Sequence, residues 1–160
     1  MTSTPHTDPA PATRGGTVDA VLRRSAARFP ERTALTFADR RWTYAELDAA
    51  VDRVAAAIRA LGLEDGARVA AYGVNSDAYL LAFLGVSRAG YTHVPVNYAL
   101  TGEELEYLLT DSGASLVLVD PAQRATLDPV VERLPGIESI NLLPSDDAPA
   151  GGSILDVALD

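Results

Sequence analysis

The 160-residue chain has no cysteine, no lysine, two histidines and one tryptophan, and each shortage closes off chemistry. Without Cys, neither a disulfide framework nor a thiolate metal site can form, and His6 and His93 are too few for an all-protein zinc site. All 13 basic residues are Arg. That excludes Schiff-base catalysis, a lysine general base and the lysine of a phosphate loop. Positive charge is also scarce: 13 basic against 22 acidic residues leave a net charge of -9. A nucleic-acid partner needs clustered positive charge, so RNA and DNA are excluded as partners. No apolar run approaches the ~20 residues that span a bilayer, so no transmembrane segment is expected. The chain reads as soluble and cytoplasmic.

What is present suits one ordinary α/β domain or part of one, with a normal apolar fraction of 48%. Residues 1–16, MTSTPHTDPAPATRGG, are rich in Pro, Thr and Gly and read as a disordered leader. From Thr17, the residues Val18, Val21, Leu22, Ala26 and Phe29 recur at helical spacing until Pro30. Ala34 to Phe37 and Arg41 to Thr43 flank Ala38-Asp39-Arg40 and predict a hairpin. Thr43 and Glu46 form a capping-box pattern ahead of Leu47, Val51, Val54, Ile58 and Leu61, with Gly62 as the stop.

The pattern then alternates. It predicts strand 68–72, helix 76–88, strand 91–96, helix 101–110, strand 115–119 and a helix near 124–133, which together build a parallel sheet covered by helices. The helix from Ser76 is apolar almost all round, as an enclosed helix should be. After Ile140 the composition of LLPSDDAPAGGS is that of a linker, and Ile154 to Asp160 read as the start of a truncated element. The domain reading is therefore a leader over 1–16, a subdomain over 17–143, and a linker with a truncated element over 144–160.

Several patterns imitate functional sites. Gly85 to Thr92, GVSRAGYT, nearly matches a phosphate loop, but Tyr91 replaces its Lys and the segment runs from helix to strand, the reverse of the order that aims helix-end amides at phosphate. Gly90 is read as a helix stop. Thr101 with Glu104 repeats the capping box, and Glu103 with Glu106 places charge near a helix start, in preference to a paired-acid site. Asp120 ends a strand where a ribose-binding acid could stand, yet no GxGxxG loop precedes it. His93 is read as a hydrogen-bonded structural histidine rather than a general base, since spacing identifies no partner acid or nucleophile. Pro95 cannot donate to a ladder, which puts its strand at an edge or near a cleft. Arg40 and Arg41 are read as solvated, with Trp42 turned inward. No catalytic, cofactor-binding or metal-ligating residue is assigned.

Two blocks carry a family resemblance. RWTYAELDAAVDRVAAAIRALGLEDGARVAAYGVNSDAYLLAFLGVSRAG and YTHVPVNYALTGEELEYLLTDSGASLVLVD are similar to the opening of the adenylate-forming (AMP-binding) enzymes of acyl-CoA synthetase type. The resemblance covers about Thr17 to Asp120. It implies part of the large N-terminal domain of that fold, and an ATP-dependent ligase that makes an acyl-adenylate and then an acyl-CoA thioester, with a fatty acid as the expected acid. ATP, magnesium and coenzyme A are thereby implied for the whole enzyme. The phosphate loop and the family's catalytic Lys have no counterpart here, so the resemblance makes the chain an N-terminal fragment, inactive by itself. Asn97, Leu100 and Thr101 match the family and are read as shaping a loop, whereas Ala99 stands where many CoA-using members carry a basic residue. A non-enzymatic module that docks on a partner subunit remains the alternative reading.

Overall fold

The computed structural model describes residues 16–144 and 152–160. The proposed leader up to residue 15, and 145–151 of the linker, lie outside the described residues.

Helix α1 (Val18–Arg28) starts at Thr17, whose hydroxyl accepts from the Ala20 amide. Its apolar positions do not all face inward: Leu22 and Ala26 are buried, whereas Val18, Val21 and Phe29 are exposed. Charge supplements the narrow apolar contact. Arg88 of α3 (Asp77–Ala89), with a side chain only 2% exposed, bonds Asp19 of α1 and Asp48 of α2 (Tyr44–Ala60) and lies 3.1 Å from Asp52. A guanidinium withdrawn this far from water is tolerable only when so surrounded.

Strands β1 (Thr33–Phe37) and β2 (Arg40–Thr43) form the expected antiparallel hairpin. The turn is tighter than predicted. Arg40 belongs to β2 and pairs with Phe37, leaving Ala38 and Asp39 as the turn, with Ala38 at φ +51°. Helix α2 begins at the anticipated capping box, in which Glu46 N–H donates to Thr43 Oγ1 and Thr43 N–H donates to the Glu46 carboxylate.

Strands β3 (Arg68–Tyr72), β4 (Thr92–Val96), β5 (Ala114–Val119) and β6 (Glu138–Asn141) make one parallel sheet in the order β4-β3-β5-β6. Among the described residues β4 is an edge of the sheet, one of the two places, an edge or a cleft, that Pro95 indicated. The chain passes from β3 out to β4 by α3, then back across β3 to β5 by α4 (Gly102–Ser112). Right-handed crossovers run in opposite directions must use opposite faces. Val69, Leu116 and Leu118 accordingly pack with α2 and α3, while Ala70, Tyr72, Val117 and Val119 pack with α4 and α5 (Arg124–Val131). The period-2 side-chain alternation of each strand serves both cores.

Beyond α5 the sequence reading falls short. The short polar segment Glu138–Asn141 is a strand, and Leu142, read as linker, is fully buried. The residues read as a truncated element form α6 (Ile154–Leu159), capped by Ser153 and Asp156 and buried against the α2–α3 face through Ile154, Leu155 and Ala158.

Candidate functional site

In open α/β sheets the favoured ligand crevice lies beyond the carboxyl ends of the strands, where the winding reverses. Here that point falls between β3 and β5, at Gly73 and Asp120. It is filled. A Cβ on Gly73 would meet Asp120 Cβ at 2.8 Å and Leu142 Cδ1 at 3.2 Å, and Asp120 is buried with its carboxylate accepting from the Ala122 amide. Asp120 therefore caps the 3₁₀ turn Pro121–Gln123 rather than awaiting a ribose.

An open groove lies between the hairpin, α3 and the edge strand. It encloses about 510 Å³ and is walled by Leu35, Phe37, Leu80, Phe83, His93 and Pro95. Alternation along β4 turns His93 and Pro95 to this side, and the apolar face of α3 that needs no further helix supplies Leu80 and Phe83. His93 sits edge-on between two rings: its centroid is 5.1 Å from Phe83 and 5.9 Å from Tyr79, at interplanar angles of 77° and 86°. Burial pushes its basicity below the ordinary imidazole value. Its Nδ1 is sealed from water and has no hydrogen-bond partner among the described residues. The expectation of a hydrogen-bonded structural histidine is thus corrected. Aromatic packing, not a hydrogen bond, holds the ring.

Asp77, at the inner end of the groove, is wholly buried. Arg40 grips it with two bonds, Nε to Oδ2 at 2.6 Å and Nη2 to Oδ1 at 2.8 Å, while Trp42 Nε1 donates to Oδ2 at 3.2 Å and the Ala78 amide to Oδ1 at 3.0 Å. Burial alone would raise its pKa, but hydrogen bonds from Arg40 and Trp42 and the Arg40 charge outweigh burial and lower it. Arg40 is therefore not the solvated residue expected from the sequence. It ties the hairpin to the start of α3, Trp42 turns inward as expected, and Arg41 alone of the pair stays exposed. With every donor directed at it already, Asp77 is a structural anion rather than a general base.

The remaining sequence candidates are structural or differ from expectation. Gly90 ends α3 in the left-handed region at φ +91°, so GVSRAGYT is a helix stop leading into a strand. Thr101 precedes α4 but makes no side-chain cap, because Gly102 opens the helix at φ +51° and the Glu104 amide turns to the Thr101 carbonyl. Glu106 is taken by Arg133 at 2.6 Å, and Glu103 is exposed, so no paired-acid site forms from them. Asn97 Oδ1 accepts from the Ala99 amide at 3.0 Å, and Tyr72 Oη donates to the Leu100 carbonyl at 2.6 Å, fastening the 97–101 loop as read from the sequence. Two of the buried charges, Asp77 and Arg88, escaped sequence reasoning. Each lies in a helix turn where an exposed charge would look the same, and their partners are distant in sequence.

This fold and its packing define an α/β subdomain, and comparison with known proteins identifies its family. Residues 22–157 match the AMP-binding enzyme family, to which the chain belongs. It is 33% identical over 151 residues to syringomycin synthase SyrB1 of Pseudomonas syringae pv. syringae, covering 94% of this chain and 23% of that protein. It is 37% identical over 127 residues to a feruloyl-CoA synthase of Amycolatopsis sp, covering 79% of this chain and 26% of that protein. A crystal structure assigned as a long-chain-fatty-acid CoA ligase of Rhodopseudomonas palustris superposes with a TM-score of 0.80 at 27% identity, over 91% of this chain and 37% of that one. The chain thus spans about a quarter of the length of these curated relatives. No helix among the described residues is long and apolar enough to cross a membrane.

Proposed function

We propose that this chain is the opening part of an ATP-dependent ligase that joins a carboxylic acid, a fatty acid in the first instance, to coenzyme A. The observation that carries the reading is the match over residues 22–157, together with 37% identity to a feruloyl-CoA synthase. In such a reaction a carboxylate oxygen attacks the α-phosphorus of ATP and pyrophosphate leaves; the thiol sulfur of coenzyme A then attacks the acyl carbon and AMP leaves. Stabilising charge at phosphorus needs positioned cationic and amide donors. This chain has no lysine, and GVSRAGYT presents its turn the wrong way round for phosphate. Among the described residues no group of three or more His, Asp or Glu stands together to hold a metal ion, so no step through magnesium is assigned to them. The contribution of these residues is architectural: they build a parallel sheet, close its switch point and fasten the 97–101 loop.

Two measurements test this. The 160-residue chain, given ATP, magnesium and a series of fatty and aryl acids, is expected to catalyse no acid-dependent exchange of pyrophosphate into ATP; robust exchange would overturn the assignment of the chemistry to other sequence. A feruloyl-CoA synthase whose matching segment is replaced by residues 17–143 of this chain should retain exchange within an order of magnitude. A folded chimera without exchange would sink the ligase reading.

A further inference from the structure

We infer that the pocket between β2, α2 and α6 binds a small organic monoanion, a carboxylate on a short apolar body, held between Arg41 and Arg53. It encloses about 400 Å³, within the roughly 300–1,000 Å³ of small-molecule sites. Arg40, Arg41 and Arg53 line it, Glu46 is its one carboxylate, and Ala49 and Leu159 give it apolar wall.

Charge selects the anion and its valence. Asp77 already neutralises Arg40 through two bonds. Arg41 is exposed and Arg53 half-buried, and neither guanidinium meets a carboxylate among the described residues. Glu46, which also lines the pocket, accepts from the Thr43 amide instead. Two guanidiniums thus face one carboxylate, and one positive charge lacks a counter-charge. A monoanion balances it. A phosphate dianion would add repulsion beside Glu46, and a cation would meet like charge from Arg41 and Arg53.

Arg53 has the greater need. Its Nε is sealed from water without a partner, and its Nη2 donates to the Ala158 carbonyl. Arg40 and Arg88, also withdrawn from water, both have carboxylates against them. A guanidinium held by one carbonyl keeps its charge uncompensated, which is costly away from bulk water. The sealed Nε supplies charge rather than a bond to the ligand. Nη1, neither sealed nor bonded among the described residues, is the donor that a carboxylate reaches. Trp42 Nε1 already donates to Asp77, and the Ala158 carbonyl accepts from Arg53, so neither is the ligand's polar partner.

The test titrates benzoate, its neutral counterpart benzamide, and inorganic phosphate at about pH 8 and constant ionic strength into the 160-residue chain, followed by ¹³C NMR of the arginine Cζ atoms. Benzoate is expected to give saturable shifts at Arg41 and Arg53, with benzamide bound at least about tenfold more weakly, the range one charge-assisted bond supplies, and phosphate also more weakly. Arg41→Gln should weaken benzoate binding about three- to tenfold. Equal affinity for benzamide would overturn the role of charge, and tighter binding of phosphate would overturn the monoanion. Shifts that fail to saturate, or that are as large at Arg68 and Arg133, would mark general screening of guanidiniums and overturn the site. These comparisons in the unsubstituted chain decide even where the variant fails to fold. The readout is binding alone, so it stands or falls separately from the proposed ligase chemistry.

Discussion

Gly85 of α3 faces Val54 of α2 so closely that a Cβ on Gly85 would meet Val54 Cγ1 at 2.4 Å. The two helices share the largest helix–helix contact of the fold, and the missing side chain sets their separation.

Gly85→Ala is expected to destabilise the chain by about 1–3 kcal/mol, the usual cost of overpacking. The sign is informative because Gly→Ala within a helix is otherwise favourable by ~1 kcal/mol. A urea unfolding midpoint that fails to drop would mean that α2 and α3 separate without cost.

Asp77 gives a pH dependence whose sign follows from its environment. Burial would raise its pKa, but the Arg40 and Trp42 hydrogen bonds and the Arg40 charge lower it in the folded state. Its stabilisation is therefore complete above the unfolded carboxylate value of ~4 and disappears as pH falls through the lower folded value. Arg40→Gln, which strands a buried carboxylate, should cost about 3–5 kcal/mol at pH 7. Unfolding curves from pH 7 to 2 should show the gap between wild type and Asp77→Asn closing toward the acid end. A gap independent of pH would remove Asp77 as the titrating group.

Leu155 and Leu159 of α6 make a paired test of whether the C-terminal helix belongs to the core. Leu155 is 4% exposed and Leu159 57%. Leu155→Ala should cost about 2–5 kcal/mol, whereas Leu159→Ala should stay within ~0.5 kcal/mol. Equal, small effects by thermal unfolding would show that α6 does not hold the α2–α3 face closed.

Much of the architecture was legible along the chain because the causes are local. The hairpin pattern marked two of the six strands and the alternation between strand and helix periods three more, the Thr43–Glu46 box placed the start of α2, and Pro95 put β4 at an edge or near a cleft. The same Thr-x-x-Glu spacing misled at Thr101 because a left-handed Gly102 intervenes, and backbone conformation is invisible to a spacing rule. Strand β6 was hidden because Glu138, Ser139 and Asn141 dilute its apolar signal, although β5 pairs with it in register.

The amino-acid sequence by itself determined the fold class and the family, and its lack of Lys and Cys settled which chemistries these residues do not perform. Those are matters of composition, period and motif. Only the tertiary structure decided that Arg40 is a clamp while Arg41 is not, that Asp120 seals the switch point, and that His93 packs edge-on against Phe83 and Tyr79 with no hydrogen-bond partner at Nδ1 among the described residues. Arg40 and Asp77 are 37 residues apart, and His93 meets its rings across the strand–helix boundary. Such partnerships arise when distant elements pack, and no local pattern specifies which of two adjacent, chemically identical side chains will find a buried charge.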